Sequence, residues 1–277
     1  MTIQQHDKMK IHMRGYLIGR GHHKAYKAMD LMMEAFRDFR KDGVTPVWSH
    51  PLYIASVIRT LPLGEHEEAV LITAFLHDYF EDRPEMSWKL EENFDKDLLH
   101  YARVLDKNYF KIVKAISGKK AQNESYYEAI LKHPYTIIVK AVDRYHNLKT
   151  MVGVFSDEKI EEYIVETEEF VLPMLKQGMR LHPEFEAILQ NIKLGISTQI
   201  GLLRSLQTAL AAKDQRIKEL EMALALARTP RPSAHHPIQP PFTNGRDLER
   251  EMIATSNMAE RVLDKTYVQI VPAMHDI

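Results

Sequence analysis

The stretch Ala74-Phe75-Leu76-His77-Asp78-Tyr79-Phe80-Glu81-Asp82 decides how the rest of the chain is read. It continues an apolar run through Ala69 and Ile72, and the spacing predicts one helix from Glu65 to Phe80, stopped by Pro84. On such a helix His77 and Glu81 stand four residues apart, as do Asp78 and Asp82, so both pairs project from neighbouring parts of one face. An imidazole beside a carboxylate can hold a divalent metal, and two acids one turn on can orient a water or exchange protons.

Two further segments offer the remaining donors. His50 lies in Trp48-Ser49-His50-Pro51, and Asp143 in Val139-Lys140-Ala141-Val142-Asp143-Arg144-Tyr145-His146-Asn147-Leu148. Asn147 follows Asp143 by four residues and can face a substrate beside the metal. His50, His77, Asp78 and Asp143 make a set of two nitrogen and two oxygen ligands. It suits Mn²⁺, Fe²⁺, Co²⁺ or Zn²⁺, and ligand type alone does not select among them. Four protein ligands on an ion that prefers six leave positions for water and a phosphate oxygen. Taken singly the pieces are bland: a histidine before proline starts many helices, and Asp-Arg in a helix is usually an ion pair. The ordered combination carries the signal.

Helical periodicity dominates the first two-thirds of the chain. Ala25, Ala28, Met29, Met32, Ala35, Phe36 and Phe39 recur at spacings of three and four until Gly43 and Pro46 break the pattern. Pro51 suits the first turn of the next helix, with Ile54, Ala55, Ile58 and Leu61 on its buried face. Further helices are expected at about 87–105, 107–117, 124–132, 135–151 and 157–190. Thr136-Ile137-Ile138-Val139 is rich in strand formers but is read as helix, because propensity is a weak prior and strand neighbours are missing.

From Leu189 the pattern changes. Leu189, Ile196, Leu203, Leu210, Ile217 and Leu224 recur every seven residues, with Ile192, Leu206, Leu220 and Ala227 at most of the matching positions. That reads as a coiled coil over 189–228 that joins copies of the chain; the bland alternative is a long helix packed on its own domain. A Pro-rich linker follows at 229–245, with His235-His236 read as a solvated pair, and then a short helix and tail at 246–277. The expected fold is all-α, with a helical catalytic domain over 1–188.

Composition narrows the partners. With 37 basic and 38 acidic residues the net charge is −1, which argues against nucleic-acid binding by bulk electrostatics. No cysteine is present, so thiolate chemistry and disulfides are excluded. No apolar run approaches the roughly 20 residues needed to span a bilayer, and Met1 to Lys10 lacks the apolar core of a signal peptide. The chain is read as cytoplasmic, without a membrane or nucleic-acid partner.

These residues resemble the HD-domain phosphohydrolases, and more narrowly the hydrolase domain of the RelA/SpoT family, over about residues 22–190. Arg40-Lys41-Asp42-Gly43 corresponds to the family's Arg-Lys-x-Gly turn, His50-Pro51 to its His-Pro, Leu76-His77-Asp78 with Glu81-Asp82 to its Leu-His-Asp-x-x-Glu-Asp, and Asp143 to Asn147 to its Asp-Arg-Leu-His-Asn. Trp48-Ser49, Tyr145, Phe80 and Arg83 depart from the family pattern. The resemblance implies an all-α HD-domain bundle and Mn²⁺-dependent removal of the 3′-diphosphate of guanosine tetra- or pentaphosphate. It further implies His50, His77, Asp78 and Asp143 as metal ligands and Glu81 and Asp82 as the groups that activate water. Arg40, Lys41 and Asn147 become contacts to the guanine nucleotide. Arg144 is read as structural, paired with a carboxylate; Lys140 and Lys149 could face phosphates but are read first as a solvated helix face. Two rival readings stand beside this one. The first is another HD-type enzyme acting on dNTPs, nucleoside monophosphates or NADPH. The second is a non-catalytic oligomer that binds a nucleotide or serves as a scaffold.

Overall fold

The computed structural model describes residues 3–40 and 43–228. Lys41, the Pro-rich segment 229–245 and the segment 246–277 lie outside the described residues. Among those described there is no strand; a lone antiparallel bridge joins Phe39 to Pro46. None of the helices is long and apolar enough to cross a membrane. The chain divides into two compact units, Met1–Gln207 and Thr208–Ile277.

Helix α1 (Ile3–Arg20) has no counterpart in the sequence reading, and it docks through Met13 and Leu17. Helix α2 (His23–Ala35) buries the expected stripe of Ala25, Ala28, Met29, Met32 and Ala35. The chain then turns at Arg40–Gly43, where the Gly43 N–H donates to the Arg40 carbonyl at 2.8 Å. Gly43 has φ +69°, a backbone region that a Cβ disfavours. Helix α3 (Ser49–Ile58) starts with Ser49 Oγ donating to the Pro46 carbonyl at 2.7 Å, and Pro51 falls in its first turn. His50 is therefore carried on a helix start pinned from both sides.

Helix α4 (Glu67–Leu76) is the centre of the bundle. Val70 to Leu76 are buried all round, and α2, α3, α7 (Lys96–Leu105) and α9 (Pro134–Thr150) pack against it. A helix apolar on every face is stable only in such a position. The expected unbroken helix from Glu65 to Phe80 is not found. A 3₁₀ turn occupies Gly64–His66, α4 ends at Leu76, and α5 (Tyr79–Asp82) is a separate short helix. His77 and Asp78 form the turn between them, with Asp78 at φ −97° and ψ −3°. No glycine or proline marks this break, so periodicity runs through it unnoticed.

The expected helix at 87–105 is likewise two, α6 (Ser87–Asn93) and α7, separated by extended backbone at Phe94 and Asp95. A 3₁₀ turn at Lys107–Phe110 leads into α8 (Lys111–Leu131), which is broken at Gly118 (φ 85°, ψ 177°). Helix α9 opens with Pro134 in its first turn and contains the β-branched run Thr136 to Val139, fully buried. Burial against α4 overrides the weak strand preference of those residues. The stretch expected as one helix at 157–190 divides into α10 (Asp157–Glu166), a π turn at Thr167–Val171, α11 (Leu172–Leu181) and a 3₁₀ turn at Pro183–Phe185.

Helix α12 (Glu186–Arg228) corrects half of the heptad reading. Leu189, Ile196 and Leu203 belong to the domain core, whereas Leu210 and Ile217 are 47% and 46% exposed. The stripe expected to be a seam throughout begins as ordinary core. Its exposed positions lie in the second unit, of which 208–228 are described.

Gly178 in α11 shows how closely the helices approach. A Cβ there would meet Ile137 Cδ1 at 3.0 Å and Leu189 Cδ1 at 3.3 Å. Gly178→Val is expected to cost about 1–3 kcal/mol by overpacking. Gly15→Ala, with open space around it, is expected to leave stability unchanged or raise it by up to about 1 kcal/mol. Urea unfolding of both variants checks this, and equal losses contradict it.

Candidate metal centre and cavity

Helices α3, α4, α5 and α9 bring the four sequence-predicted ligands to one buried corner. Donor atoms of His50, His77 and Asp78 all lie within 4.8 Å of one another. Asp143 joins them, with its Oδ1 3.2 Å from His50 Nε2. Asp78 Oδ2 stands 3.0 Å from His77 Nε2 and 3.7 Å from His50 Nε2.

The far side of each imidazole is fixed by the protein. His77 Nδ1 donates to the Ala74 carbonyl at 2.8 Å, which turns Nε2 to the site. That Nε2 is buried and, despite the nearby carboxylate, has no hydrogen bond of acceptable angle. His50 Nδ1 meets His146 Nδ1 at 2.7 Å, so one ring donates and the other accepts. Burial, then His50 and Arg40, press His146 down to about 3. With its Nδ1 engaged by His146, His50 turns Nε2 to the site, 3.2 Å from Asp143 Oδ1. An orphaned buried nitrogen, a second oriented nitrogen and two carboxylates fit a divalent ion from the first transition row.

Charge in this corner is balanced tightly. Burial opposes ionisation of Asp143, but Lys140, His50 and His77 hold its carboxyl well below the usual range. Lys140 Nζ donates to Asp143 Oδ2 at 2.8 Å, and Asn147 Nδ2 donates to Oδ1 at 2.7 Å. Lys140 therefore does not belong to a solvated helix face, as its sequence position suggested; Lys149 is exposed beside Tyr53. Burial disfavours charge on His77 too, yet Asp78 and Asp143 raise the imidazole to about 9.

The corner opens into a cavity of about 450 Å³. Glu81, Asp82, Arg40, Asn147 and Lys140 line it, along with Lys107, Lys119, Tyr126, Lys159 and Tyr163. Burial pushes the Glu81 carboxyl up, with Asp78 and Asp106 adding to it. Burial and Asp78 raise Asp82 as well. Raised carboxyl groups hold and exchange protons nearer neutral pH than free ones do. Of the expected nucleotide contacts, Arg40 and Asn147 reach the cavity, and Lys41 lies outside the described residues.

Several groups in or behind the site escaped the sequence reading. His146 was within reach of it, because it follows Asp143 by three residues on the same helical face. Lys107 and Glu166 were not. Glu166 Oε1 accepts from Arg144 Nη2 at 2.8 Å, Tyr127 OH at 3.1 Å and Lys107 Nζ at 3.2 Å. Arg144 does take the carboxylate partner expected of it, and its guanidinium lies 4.9 Å from the Tyr163 ring centre.

No family model matches the chain. Among curated proteins, the GTP pyrophosphokinase of Brucella melitensis is 25% identical over 203 residues, covering 67% of this chain and 26% of that protein. The guanosine-3′,5′-bis(diphosphate) 3′-pyrophosphohydrolase of Haemophilus influenzae is 31% identical over 142 residues, 49% of this chain and 20% of that protein. The GTP pyrophosphokinase of Myxococcus xanthus is 30% identical over 139 residues, 49% of this chain and 18% of that protein. The chain thus spans about a quarter or less of the length of these relatives.

Glu166 gives a pH signature. Burial would raise its carboxyl, but Arg144 and Lys107 depress it from 4.5 to about 2. A depressed carboxyl stabilises the fold fully above its unfolded value and loses that contribution as pH falls through the folded one. The stability gap between the parent and Glu166→Gln, measured by urea unfolding, is expected to be constant above about 4.5 and to shrink between about 4.5 and about 2. A gap that stays constant down to about 2 contradicts this.

Proposed function

We propose that the chain is a metal-dependent hydrolase that removes the 3′-diphosphate from guanosine tetra- or pentaphosphate or a close analogue, giving GDP or GTP and pyrophosphate. The observation that carries the reading is the convergence of His50, His77 and Asp78 within 4.8 Å, with Asp143 alongside and Glu81 and Asp82 lining the same cavity. The relative named as a guanosine-3′,5′-bis(diphosphate) 3′-pyrophosphohydrolase and those named as GTP pyrophosphokinases support a guanine-nucleotide substrate class.

In this reading His50, His77, Asp78 and Asp143 hold the ion, Mn²⁺ by resemblance, with Fe²⁺, Co²⁺ or Zn²⁺ compatible with the same donors. When bound, the ion offsets charge on the phosphoryl group and lowers the pKa of water. Glu81 and Asp82 orient the attacking water and take its proton; the new oxygen–phosphorus bond forms as the bond from phosphorus to the 3′ oxygen breaks, and a proton returns to that oxygen to leave the 3′ hydroxyl. Lys140, 2.8 Å from Asp143, adds positive charge at the phosphate end of the cavity. Arg40 and Asn147 position the nucleotide, together with Lys41.

A panel of nucleotides incubated with Mn²⁺, with and without chelator, tests this. Pyrophosphate release from guanosine 3′,5′-bis(diphosphate), abolished by chelator, is expected. Release of phosphate without pyrophosphate points to another HD-type substrate, and binding without turnover by metal-loaded protein points to sequestration. His77→Ala should lose metal and activity together, whereas Glu81→Ala should keep the metal and lose a factor of about 10² to 10⁴ in rate.

We also read the exposed heptad positions Leu210 and Ile217 as the seam of a homo-oligomer. Sedimentation equilibrium of Ile217→Glu should show a lower mass than the parent; equal masses contradict the seam.

A further inference from the structure

We propose that Glu166 is a positioning residue: it anchors the turn whose backbone aims Glu81 at the reacting water. The proposal rests on the reading of Glu81 as the group that takes the water's proton. The Lys107 N–H is the one donor hydrogen-bonded to Glu81 among the described residues, reaching Oε2 at 3.3 Å. Glu81 sits on the four-residue helix α5, too short to hold a side chain direction by itself. Its aim therefore depends on where Lys107 is held.

Lys107 belongs to a single 3₁₀ turn in which Phe110 packs on the core while Tyr109 is 76% exposed, and that packing does not by itself aim the Lys107 N–H. Hydrogen bonds do so instead. Gln122 Nε2 donates to the Lys107 carbonyl at 3.2 Å, and the Lys107 ammonium reaches Glu166 Oε1 at 3.2 Å. The same oxygen receives Arg144, the residue after the metal-ligand candidate Asp143. Glu166 is the last residue of α10, where the backbone widens into the π turn at Thr167–Val171. Such turns are frequent at functional sites. The carboxylate thus joins α9, which carries Asp143, to the turn that holds Glu81.

A role confined to gluing helices predicts different behaviour. Tyr126 OH already ties α8 to the Leu105 carbonyl, and losing a structural tie lowers activity regardless of what Glu81 does. A double-mutant cycle separates the two roles. Glu166→Gln alone is expected to lower kcat about tenfold, with KM and bound Mn²⁺ little changed. In the Glu81→Gln background the same change should cost no more than about twofold, because the group it positions is gone. Lys107→Met cuts the link from its other end, leaves the Arg144–Glu166 pair intact and should lower kcat in the parent but not in the Glu81→Gln background; its KM is expected to rise, because Lys107 also lines the cavity. An equal proportional loss in both backgrounds overturns the proposal. Amide exchange at Lys107 provides a readout that needs no turnover: it should quicken in folded Glu166→Gln, and unchanged exchange overturns the proposal. If the parent protein releases no pyrophosphate, the functional reading fails and the exchange measurement alone decides whether Glu166 holds the turn.

Discussion

Two carboxylates crowded against two imidazoles in a buried corner are the constraint on which the rest of the molecule turns. Asp78 and Asp143 approach the same His50 nitrogen, at 3.7 and 3.2 Å. Charges at such separations inside a protein interact far more strongly than in water, and an uncompensated one costs several kcal/mol. The chain meets this demand with Lys140 against Asp143, Asn147 beside it, and rings oriented by Ala74 and His146. A divalent cation answers the same demand, and the orphaned Nε2 of His77 shows where one donor waits.

That corner explains why the bundle is built as it is. The buried stretch Val70 to Leu76 of α4 ends at the residue before His77, so the central helix of the bundle delivers that ligand. The break at His77–Asp78 then sets the direction of α5, which carries Glu81 and Asp82. Pro51 and Ser49 fix the start of α3 around His50. Helix α9 presents Asp143, His146 and Asn147 from one face while its β-branched residues fill the core. Rigid packing on one side and ligating groups on the other is how a bundle places a metal set.

The four candidate ligands could be read from the sequence because few residue types bind such metals and because each stands in a distinctive local string; the four-residue spacing pointed to their neighbours Glu81, Asp82 and Asn147. The all-α class was legible for a related reason: a run such as Thr136 to Val139 has no partner strands and sits inside a long apolar period. The break at His77–Asp78 was hidden, since both residues keep near-helical dihedrals and no glycine or proline announces it. The Lys107–Glu166 pair was hidden more deeply. Its members are 59 residues apart, and packing alone selects which charge meets which. The heptad stripe misled in part because a core-facing stripe and a pairing seam share nearly the same period; burial of Leu189, Ile196 and Leu203 separates them.

The central claim concerns where one ion sits. Crystals grown with Mn²⁺ and measured at the manganese absorption edge test it most directly. The account predicts one anomalous peak bounded by His50 Nε2, His77 Nε2 and the carboxylates of Asp78 and Asp143. A peak elsewhere on the protein, or full-occupancy manganese that leaves any of those four side chains out of reach, would contradict it.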